Sequence, residues 1–235
     1  RVESSFLIVK KAEVKNTFLL IGHREVMKAT QDILQRYAPF YKLEMLLNDE
    51  YKFVAIDEDC LSFNFSETDL DLNVQYHKDF LRIHYLDKKF HLLLLDKEVD
   101  CFKGLAMTNE LNEWEKDNII NKDFNITPED ANKYTPHELG YHQTKRIDFE
   151  KGCYTGQEIV ARMHYRAKKL PFLITGSLDA KENTSPEVLN QEGIKAGTLL
   201  STAKEENLNL CLISMNKNYE NGEIKFKDSS AITIK

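Results

Sequence analysis

The fold is decided by the segment Arg146-Ile-Asp-Phe-Glu-Lys-Gly-Cys-Tyr-Thr-Gly-Gln-Glu158, which separates two differently patterned parts of the chain. Its first four residues alternate between polar and apolar, which is the period of a β-strand. Gly152 follows, and residues 155–165 then have the spacing of a helix, with Ile159, Val160 and Met163 on one face. The segment therefore predicts a strand, a glycine turn, a cysteine and a helix.

Cys153 lies where the predicted helix begins. The first turn of a helix leaves backbone N–H groups unpaired, and these present partial positive charge to whatever precedes them. Lys151 adds a full positive charge nearby. Both effects favour the thiolate form of Cys153, which is the nucleophilic and metal-binding form. The alternative interpretation is a thiol that acts only as a small buried apolar group.

The neighbours of this cysteine are of the types that accommodate a flat ligand. Gly152 and Gly156 have no Cβ, so a ligand or a second stretch of backbone can approach them closely. Tyr154 offers an aromatic face. The structural alternative is that the glycines serve only the turn between a strand and a helix.

Polar residues on the predicted helix provide hydrogen-bonding groups for such a ligand. Gln157 can donate and accept hydrogen bonds, whereas Glu158 can only accept them. Arg162 follows Glu158 by four residues, the favourable order for an ion pair on a helix. The alternative is that Glu158 only stabilises the helix N-terminus and that Lys151 and Arg162 are solvated surface charges.

The part of the chain before this segment mixes strands and helices. Residues 66–79 are acidic and polar and are predicted to be a loop, and residues 107–140 are predicted to be helical but irregular. Thr127 and Thr135 each precede proline and have an acid three positions later, the pattern of a capped short helix. These features predict an α+β sandwich. The predicted strands are 6–9, 17–21, 43–47, 51–56, 80–86 and 90–95, with strands 43–47 and 51–56 forming a pair, and the predicted helix is 25–37.

The part of the chain after Arg166 changes character. It contains five short strand patterns and no helical pattern, and Asn221-Gly222 is a hairpin signal. This combination predicts a small antiparallel β-barrel. The boundary is placed near Lys168, which gives an α+β domain over residues 1–167 and a barrel over residues 168–235. The five patterns are 170–178, 194–203, 208–215, 224–226 and 231–234.

Composition restricts the classes of function. The net charge of −6 argues against direct nucleic-acid binding over a large surface, and no apolar run approaches the length of a membrane span. The four cysteines are far apart, which argues against a self-contained metal or iron–sulfur site and against a disulfide framework. We expect a soluble, cytoplasmic protein with reduced thiols and no resident metal. Because the first residue is arginine, we also expect an earlier N-terminal segment.

Lys151-Gly-Cys-Tyr-Thr-Gly-Gln-Glu-Ile-Val-Ala-Arg162, continued by Tyr165-Arg166, resembles the signature of the YgfZ family. We refer to residues 151–162 as the signature segment. The resemblance implies a folate-binding α+β domain like that of the glycine-cleavage T-protein, followed by a small barrel. It further implies tetrahydrofolate as the ligand, support of iron–sulfur protein assembly or repair, and an indirect effect on tRNA modification. By this match the family's signature cysteine is Cys153.

The sequence departs from the family pattern in three places. Family members begin some tens of residues earlier, and that segment helps to build the folate domain. Ala167 replaces the usual glycine after Tyr165-Arg166, and His137 replaces the usual glutamine after proline. A histidine at this position could contact a ligand, but a solvent-facing position in the first turn of a short helix is the favoured prediction for His137.

Three hypotheses about function remain open. The first is a folate-dependent accessory factor for iron–sulfur proteins that acts through Cys153. The second is a folate-dependent aminomethyl transferase, which needs a carboxylate for proton transfer that the sequence does not reveal. The third is an RNA-binding module built on the barrel. A Cys–His nucleophile is disfavoured because His164 lies eleven residues from Cys153, about 16 Å along a helix, and His142 has no predicted position.

Overall fold

A computed structural model describes residues 1–11, 14–57, 72–77, 80–85, 88–96, 110–144, 146–179, 185–216, 219, 223–226 and 232–234. The predicted hairpin at Asn221-Gly222, together with Cys60 and Cys101, lies outside these residues. The helices are α1 (Arg24–Leu34), α2 (Ala38–Tyr41), α3 (Asn112–Ile120) and α4 (Gln157–Arg166). The strands are β1 (Leu7–Lys10), β2 (Phe18–Ile21), β3 (Tyr51–Asp57), β4 (Leu72–Tyr76), β5 (Phe80–Tyr85), β6 (Phe90–Asp96), β7 (Phe172–Asp179), β8 (Glu187–Asn190), β9 (Lys195–Glu205), β10 (Leu208–Met215), β11 (Ile224–Phe226) and β12 (Ile232–Ile234).

The chain divides into two compact units. The N-terminal unit comprises Val2–Asn109 and Asn125–Lys133, and the C-terminal unit comprises Arg1, Glu110–Phe124 and Tyr134–Lys235. The predicted boundary near Lys168 divides the chain at a different place and stays a prediction. The α+β class is confirmed, because each unit combines helices with an antiparallel sheet.

The N-terminal unit is built on a four-stranded antiparallel sheet with the order β3-β6-β5-β4. The central strand β6 carries a run of four leucines, of which Leu93 is fully buried, as expected for a strand covered on both faces. Leu93 packs with Ile56, Phe80 and Leu95. Strands β1 and β2 form a separate antiparallel pair.

Two sequence predictions in this unit are wrong. Residues 43–47 form no strand, and β3 pairs with β6 instead. This stretch contains no β-branched residue, and Leu43 and Leu46 are exposed. The described end of the predicted loop, Leu72–Tyr76, is a strand that pairs with β5. The alternation of Leu72, Val74 and Tyr76 was the signal for that strand.

The C-terminal unit is built on a six-stranded antiparallel sheet with the order β11-β8-β9-β10-β7-β12. The edge strands β11 and β12 contact each other, so the sheet nearly closes into a barrel. Its core contains Val188, Ile213, Met215 and Phe226, each fully buried. A Cβ at Gly197 would lie 2.7 Å from the carbonyl oxygen of Ser214, so only glycine fits this close approach between β9 and β10.

The predicted strands of this sheet match β7, β9, β10, β11 and β12 to within a few residues. Strand β8 is the additional member, which the sequence pattern did not indicate. It pairs with both β9 and β11. Helix α3 packs on β9, where the side-chain amide of Asn112 accepts a hydrogen bond from the backbone N–H of Lys204 at 2.7 Å and donates to the Lys204 carbonyl oxygen at 3.0 Å.

Two further sequence predictions, for the residues before α4, are wrong. Residues 146–149 form no strand, because the Asp148 carboxylate accepts hydrogen bonds from the backbone N–H groups of Glu150 and Lys151 and turns the chain. The residues after Thr127 and Thr135 form turns and not α-helices. Thr135 and Glu138 nevertheless make the predicted reciprocal capping bonds, at 2.7 and 3.3 Å between backbone nitrogen and side-chain oxygen.

Candidate functional site

Helix α4 begins two residues later than the sequence predicts. Its N-cap is Gly156, whose φ of 86° lies in the left-handed region that favours glycine. Gln157 is the first helical residue, and Cys153 lies four residues before it. The side chain of Cys153 is exposed and forms no disulfide. The segment therefore presents a free thiol ahead of the N-terminus of α4.

Tyr154 is the partly buried residue next to this thiol. The Lys151 ammonium lies over its ring, 4.8 Å from the ring centre, which is within the range of a cation–π contact. The Tyr154 hydroxyl is buried and has no hydrogen-bond partner among the described residues. A buried hydroxyl without a partner costs free energy, and a ligand or a water molecule that paired with it would remove that cost.

The two glycines of the signature segment have open space beside them. A Cβ at Gly152 or at Gly156 would meet no atom within 4 Å. The φ angle explains the glycine at 156, whereas no contact within the described residues explains the one at 152. Both positions leave room for an external group near Cys153.

Glu158 and Arg162 form the ion pair that their spacing predicts, with 2.6 Å between the Glu158 and Arg162 side chains. Their side chains are 82% and 63% exposed, so the pair lies in solvent and contributes only about 0.3–0.5 kcal/mol to stability. Gln157 is half-buried at the start of the helix. A direct role for these three residues in ligand binding stays a prediction.

A cluster of three histidines packs behind the signature segment, and we call it the imidazole cluster: His137, His142 and His164. The ring of His137 lies 5.0 Å from that of His142 and 6.0 Å from that of His164, between ring centres. His137 is fully buried, so its predicted solvent-facing position is wrong. The turns that replace the predicted short helix direct it inward.

Burial controls the protonation of this cluster. Desolvation, followed by the charges of His142 and His164, lowers the pKa of His137 to about 4. Desolvation, followed by His164, also lowers the pKa of His142. Both ring nitrogens of His137 and the Nδ1 atoms of His142 and His164 have no hydrogen-bond partner among the described residues. No sequence pattern predicts this cluster, because its members are not regularly spaced.

The imidazole cluster is in contact with the residues that lead into the signature segment. The ring of Phe149 stacks on His164, with 4.0 Å between ring centres. Three residues earlier, Arg146 forms an ion pair with the buried carboxylate of Asp123 at 2.7 Å, and its guanidinium lies over the ring of Tyr141. The residues just before the signature segment are therefore held in place by a buried ion pair and by ring stacking.

A cavity of about 380 Å³ lies at the other end of α4. This volume is at the lower end of the range of small-molecule sites. Cys153 does not line it. The lining residues are Thr135, Glu138, Met163, Ala167, Lys169, Leu170, Pro171 and Asn216.

The N-terminal unit contains a buried group of basic side chains of its own. Arg82 donates from Nε to Nδ1 of His91 at 2.7 Å, and the ring of His84 lies 4.1 Å from that of His91. Burial, followed by the charges of His84 and Arg82, lowers the pKa of His91 to about 4. In the ranges that the structure describes, no three histidine, cysteine, aspartate or glutamate side chains are placed so that they could hold a metal ion. Within the same ranges, no helix combines the length and apolar character that crossing a membrane requires.

The fold and the site together define a class: an α+β protein with a six-stranded antiparallel sheet and an exposed cysteine ahead of a helix N-terminus. No family model matches the chain. The chain is 25% identical over 231 residues to the tRNA-modifying protein YgfZ of Aliivibrio fischeri strain ES114, and this match covers 92% of the chain and 70% of that protein.

Two further relatives agree with this match. The tRNA-modifying protein YgfZ of Aliivibrio fischeri strain MJ11 is 25% identical over 205 residues, which are 80% of the chain and 62% of that protein. That of Buchnera aphidicola is 40% identical over 76 residues, which are 30% of the chain and 24% of that protein. The chain thus spans 62% and 70% of the lengths of the two Aliivibrio relatives. These matches confirm the resemblance and support the identification of the chain as a YgfZ-type protein.

Proposed function

We propose that this chain is part of a tetrahydrofolate-binding accessory protein that supports the assembly or repair of iron–sulfur proteins and thereby tRNA modification. The relatives carry the name tRNA-modifying protein. The observation that carries the proposal is the placement of Cys153, an exposed thiol ahead of the N-terminus of α4 and within the family signature. We propose further that the α+β part that precedes the barrel is a folate-binding domain like that of the glycine-cleavage T-protein.

The residues near Cys153 fit a reduced folate in three respects. The Tyr154 hydroxyl is buried and has no partner among the described residues, so it can pair with a polar heterocycle. The space beside Gly152 and Gly156 is open to a flat ring. The Lys151 ammonium offers a positive charge to the carboxylates of the folate tail. Tetrahydrofolate, when bound, supplies chemistry for accepting and donating one-carbon units.

Cys153 has the properties of a group that acts on a second molecule. Its exposure allows a client protein to reach the sulfur, and it lies four residues before the first residue of α4. A single cysteine cannot complete the ligand set of an iron–sulfur cluster. The proposal therefore assigns to Cys153 a transient contact with a client and not the storage of a cluster.

Calorimetric titration of the full-length protein with tetrahydrofolate tests the ligand. We expect binding, and we expect Tyr154→Phe to weaken it about fivefold, because the lost hydrogen bond is worth about 1 kcal/mol. Tyr165→Phe is the matched control, because this exposed tyrosine on α4 should leave the affinity unchanged. The present chain, titrated in parallel, shows whether it binds folate without the rest of the protein.

If neither heat of binding nor a thermal shift is detected at millimolar tetrahydrofolate, the proposal that folate is the ligand is wrong. Turnover of an aminomethyl donor in the presence of tetrahydrofolate would replace the accessory role by a transferase.

A further inference from the structure

Helix α4 has few contacts of the kind that hold a helix firmly in place. None of its residues is fully buried, and Ile159 and Tyr165 are 69% and 70% exposed. Among the described residues, His164 and Tyr165 make the ring contacts between α4 and the preceding chain. Of these two, His164 is the residue whose ring contacts those of His137 and His142. The imidazole cluster therefore connects α4 to the turns at residues 134–144.

The surroundings of the cluster suit neutral rings and not charged ones. A neutral imidazole has one donor and one acceptor nitrogen, whereas an imidazolium must donate from both. Neither nitrogen of His137 has a partner among the described residues, so a charged ring there would have two unsatisfied donors. The rings are 5.0 to 6.1 Å apart, so a second proton would also place like charges almost in contact.

The groups that act electrostatically on the cluster are its own members. After burial, the charges that lower the pKa values of His137 and His142 come from histidines of the cluster, and no carboxylate is among these causes. Tyr165 is the other ionisable side chain in described ring contact with the cluster, 5.0 Å from His164. Arg166, which is exposed, shares the last turn of α4 with His164.

The cluster is coupled to the signature segment by one stacked pair. Phe149 packs on His164 and lies four residues before Cys153. Movement of His164 away from His137 and His142 therefore removes the support of Phe149. The position of the thiol then changes together with that of α4.

We propose that the imidazole cluster is a pH-sensitive switch that fixes α4 and the signature segment when its rings are neutral and releases them when the rings are protonated. His137 and His142 stay neutral at neutral pH and accept protons as the solution becomes acidic. The repulsion and the unsatisfied donors are relieved when α4 separates from the turns at residues 134–144. This proposal does not depend on whether a folate binds at the signature segment.

The experiment follows histidine ring resonances and backbone amide exchange by NMR on the full chain, from about pH 7 to about pH 5. Exchange rates are divided by those of an unstructured peptide of the same sequence, so the intrinsic effect of pH is removed. In the wild type we expect protection of the α4 amides to fall at least about tenfold and to be lower than protection of the β10 amides at every pH. The ring resonances of His137 and His142 should titrate at lower pH than those of a histidine in an unstructured peptide.

Two variants provide matched comparisons. His137→Phe places a ring that cannot accept a proton in the buried position, so the loss of α4 protection should become smaller than in the wild type. His23→Gln removes an exposed histidine of the N-terminal unit and should behave as the wild type. Constant α4 protection in the wild type would overturn the proposal. Equal protection of α4 and β10 at both pH values would overturn it as well, because α4 would then open only when the whole unit unfolds, and this comparison needs no variant.

Discussion

The six-stranded sheet and the signature segment each carry one described cysteine, and they place it in opposite surroundings. Cys211 lies on β10, is fully buried and packs in the same core as Ile213 and Phe226. Cys153 lies ahead of α4 and is exposed. The same side chain thus serves packing in one region and is available to other molecules in the other.

This difference separates stability from chemistry within one compact unit. The sheet contains the fully buried apolar side chains Leu212, Ile213, Met215 and Phe226, whereas α4 contains no buried residue. Substitutions in the sheet should therefore change the free energy of unfolding, and substitutions in the signature segment should change function at nearly constant stability. The following predictions test this contrast, beginning with the largest expected effect.

Truncation of a core side chain in the sheet should have the largest effect. Ile213→Ala should lower the free energy of unfolding by about 2–5 kcal/mol, because it removes buried apolar surface and leaves a cavity. Ile159→Ala on α4 is the matched control, and we expect a change within about 0.5 kcal/mol because this side chain is 69% exposed. Urea denaturation measures both, and comparable losses would contradict the contrast.

Acidification should destabilise the protein through its buried histidines. His137 has a pKa lowered from 6.5 to about 4 in the folded state, so the unfolded chain binds more protons between these values. Its stabilising contribution is complete above about pH 6.5 and is lost as the pH falls toward 4. From about pH 7 to about pH 5 the loss should be about 2 kcal/mol for this residue.

Urea denaturation of the wild type and of His137→Phe at both pH values measures this contribution. The variant should show a smaller difference between the two pH values, whatever its stability at neutral pH. His91, whose pKa is also lowered to about 4, remains in the variant and should preserve part of the difference. An unchanged difference in the variant would show that His137 does not titrate in this range.

The two cysteines should respond differently to serine. Cys211→Ser places a hydroxyl in an apolar core and should cost about 1–2 kcal/mol of the free energy of unfolding. Cys153→Ser should change it by less than about 0.5 kcal/mol, because the exposed hydroxyl remains hydrated. Thermal and urea denaturation of both variants provide the comparison. A large loss in Cys153→Ser would mean that this cysteine contributes to packing.

The smallest effect is expected at the surface of α4. Arg162→Gln removes the ion pair with Glu158, and because both side chains are exposed the loss of stability should be about 0.3–0.5 kcal/mol. Raising the salt concentration should reduce the difference between the wild type and the variant. A loss above about 1 kcal/mol would indicate that Arg162 has a further partner.

The sheet of the C-terminal unit could be predicted well from the sequence. Each strand that was found has an alternating or continuous apolar pattern, and periodicity alone predicts it. Strand β8 was missed because its two apolar residues, Val188 and Leu189, are adjacent and do not alternate, and its assignment depends on pairing with β9 and β11. Strand pairing of this kind is a property of the tertiary structure, and no local sequence pattern predicts it.

The candidate site was predicted only in part. The free cysteine, the helix that follows it and the pair of Glu158 with Arg162 were all found from local spacing. The strand expected at residues 146–149 failed because the Asp148 side chain competes for backbone N–H groups. The imidazole cluster was missed because it depends on how the turns at residues 134–144 fold against α4.

The central claim is that Cys153 acts through its thiolate and not through its packing. The most direct measurement is growth rescue of a bacterial strain that lacks its own YgfZ protein, with full-length wild type, Cys153→Ser and Lys168→Gln at matched protein levels. Lys168 is exposed and lies outside the signature segment. Iron–sulfur enzyme activity and the modified-nucleoside content of tRNA are measured alongside growth. We expect the wild type and Lys168→Gln to rescue and Cys153→Ser to fail, because a hydroxyl is a far weaker nucleophile and metal ligand than a thiolate. Equal rescue by Cys153→Ser would contradict the claim and would make this cysteine a structural residue.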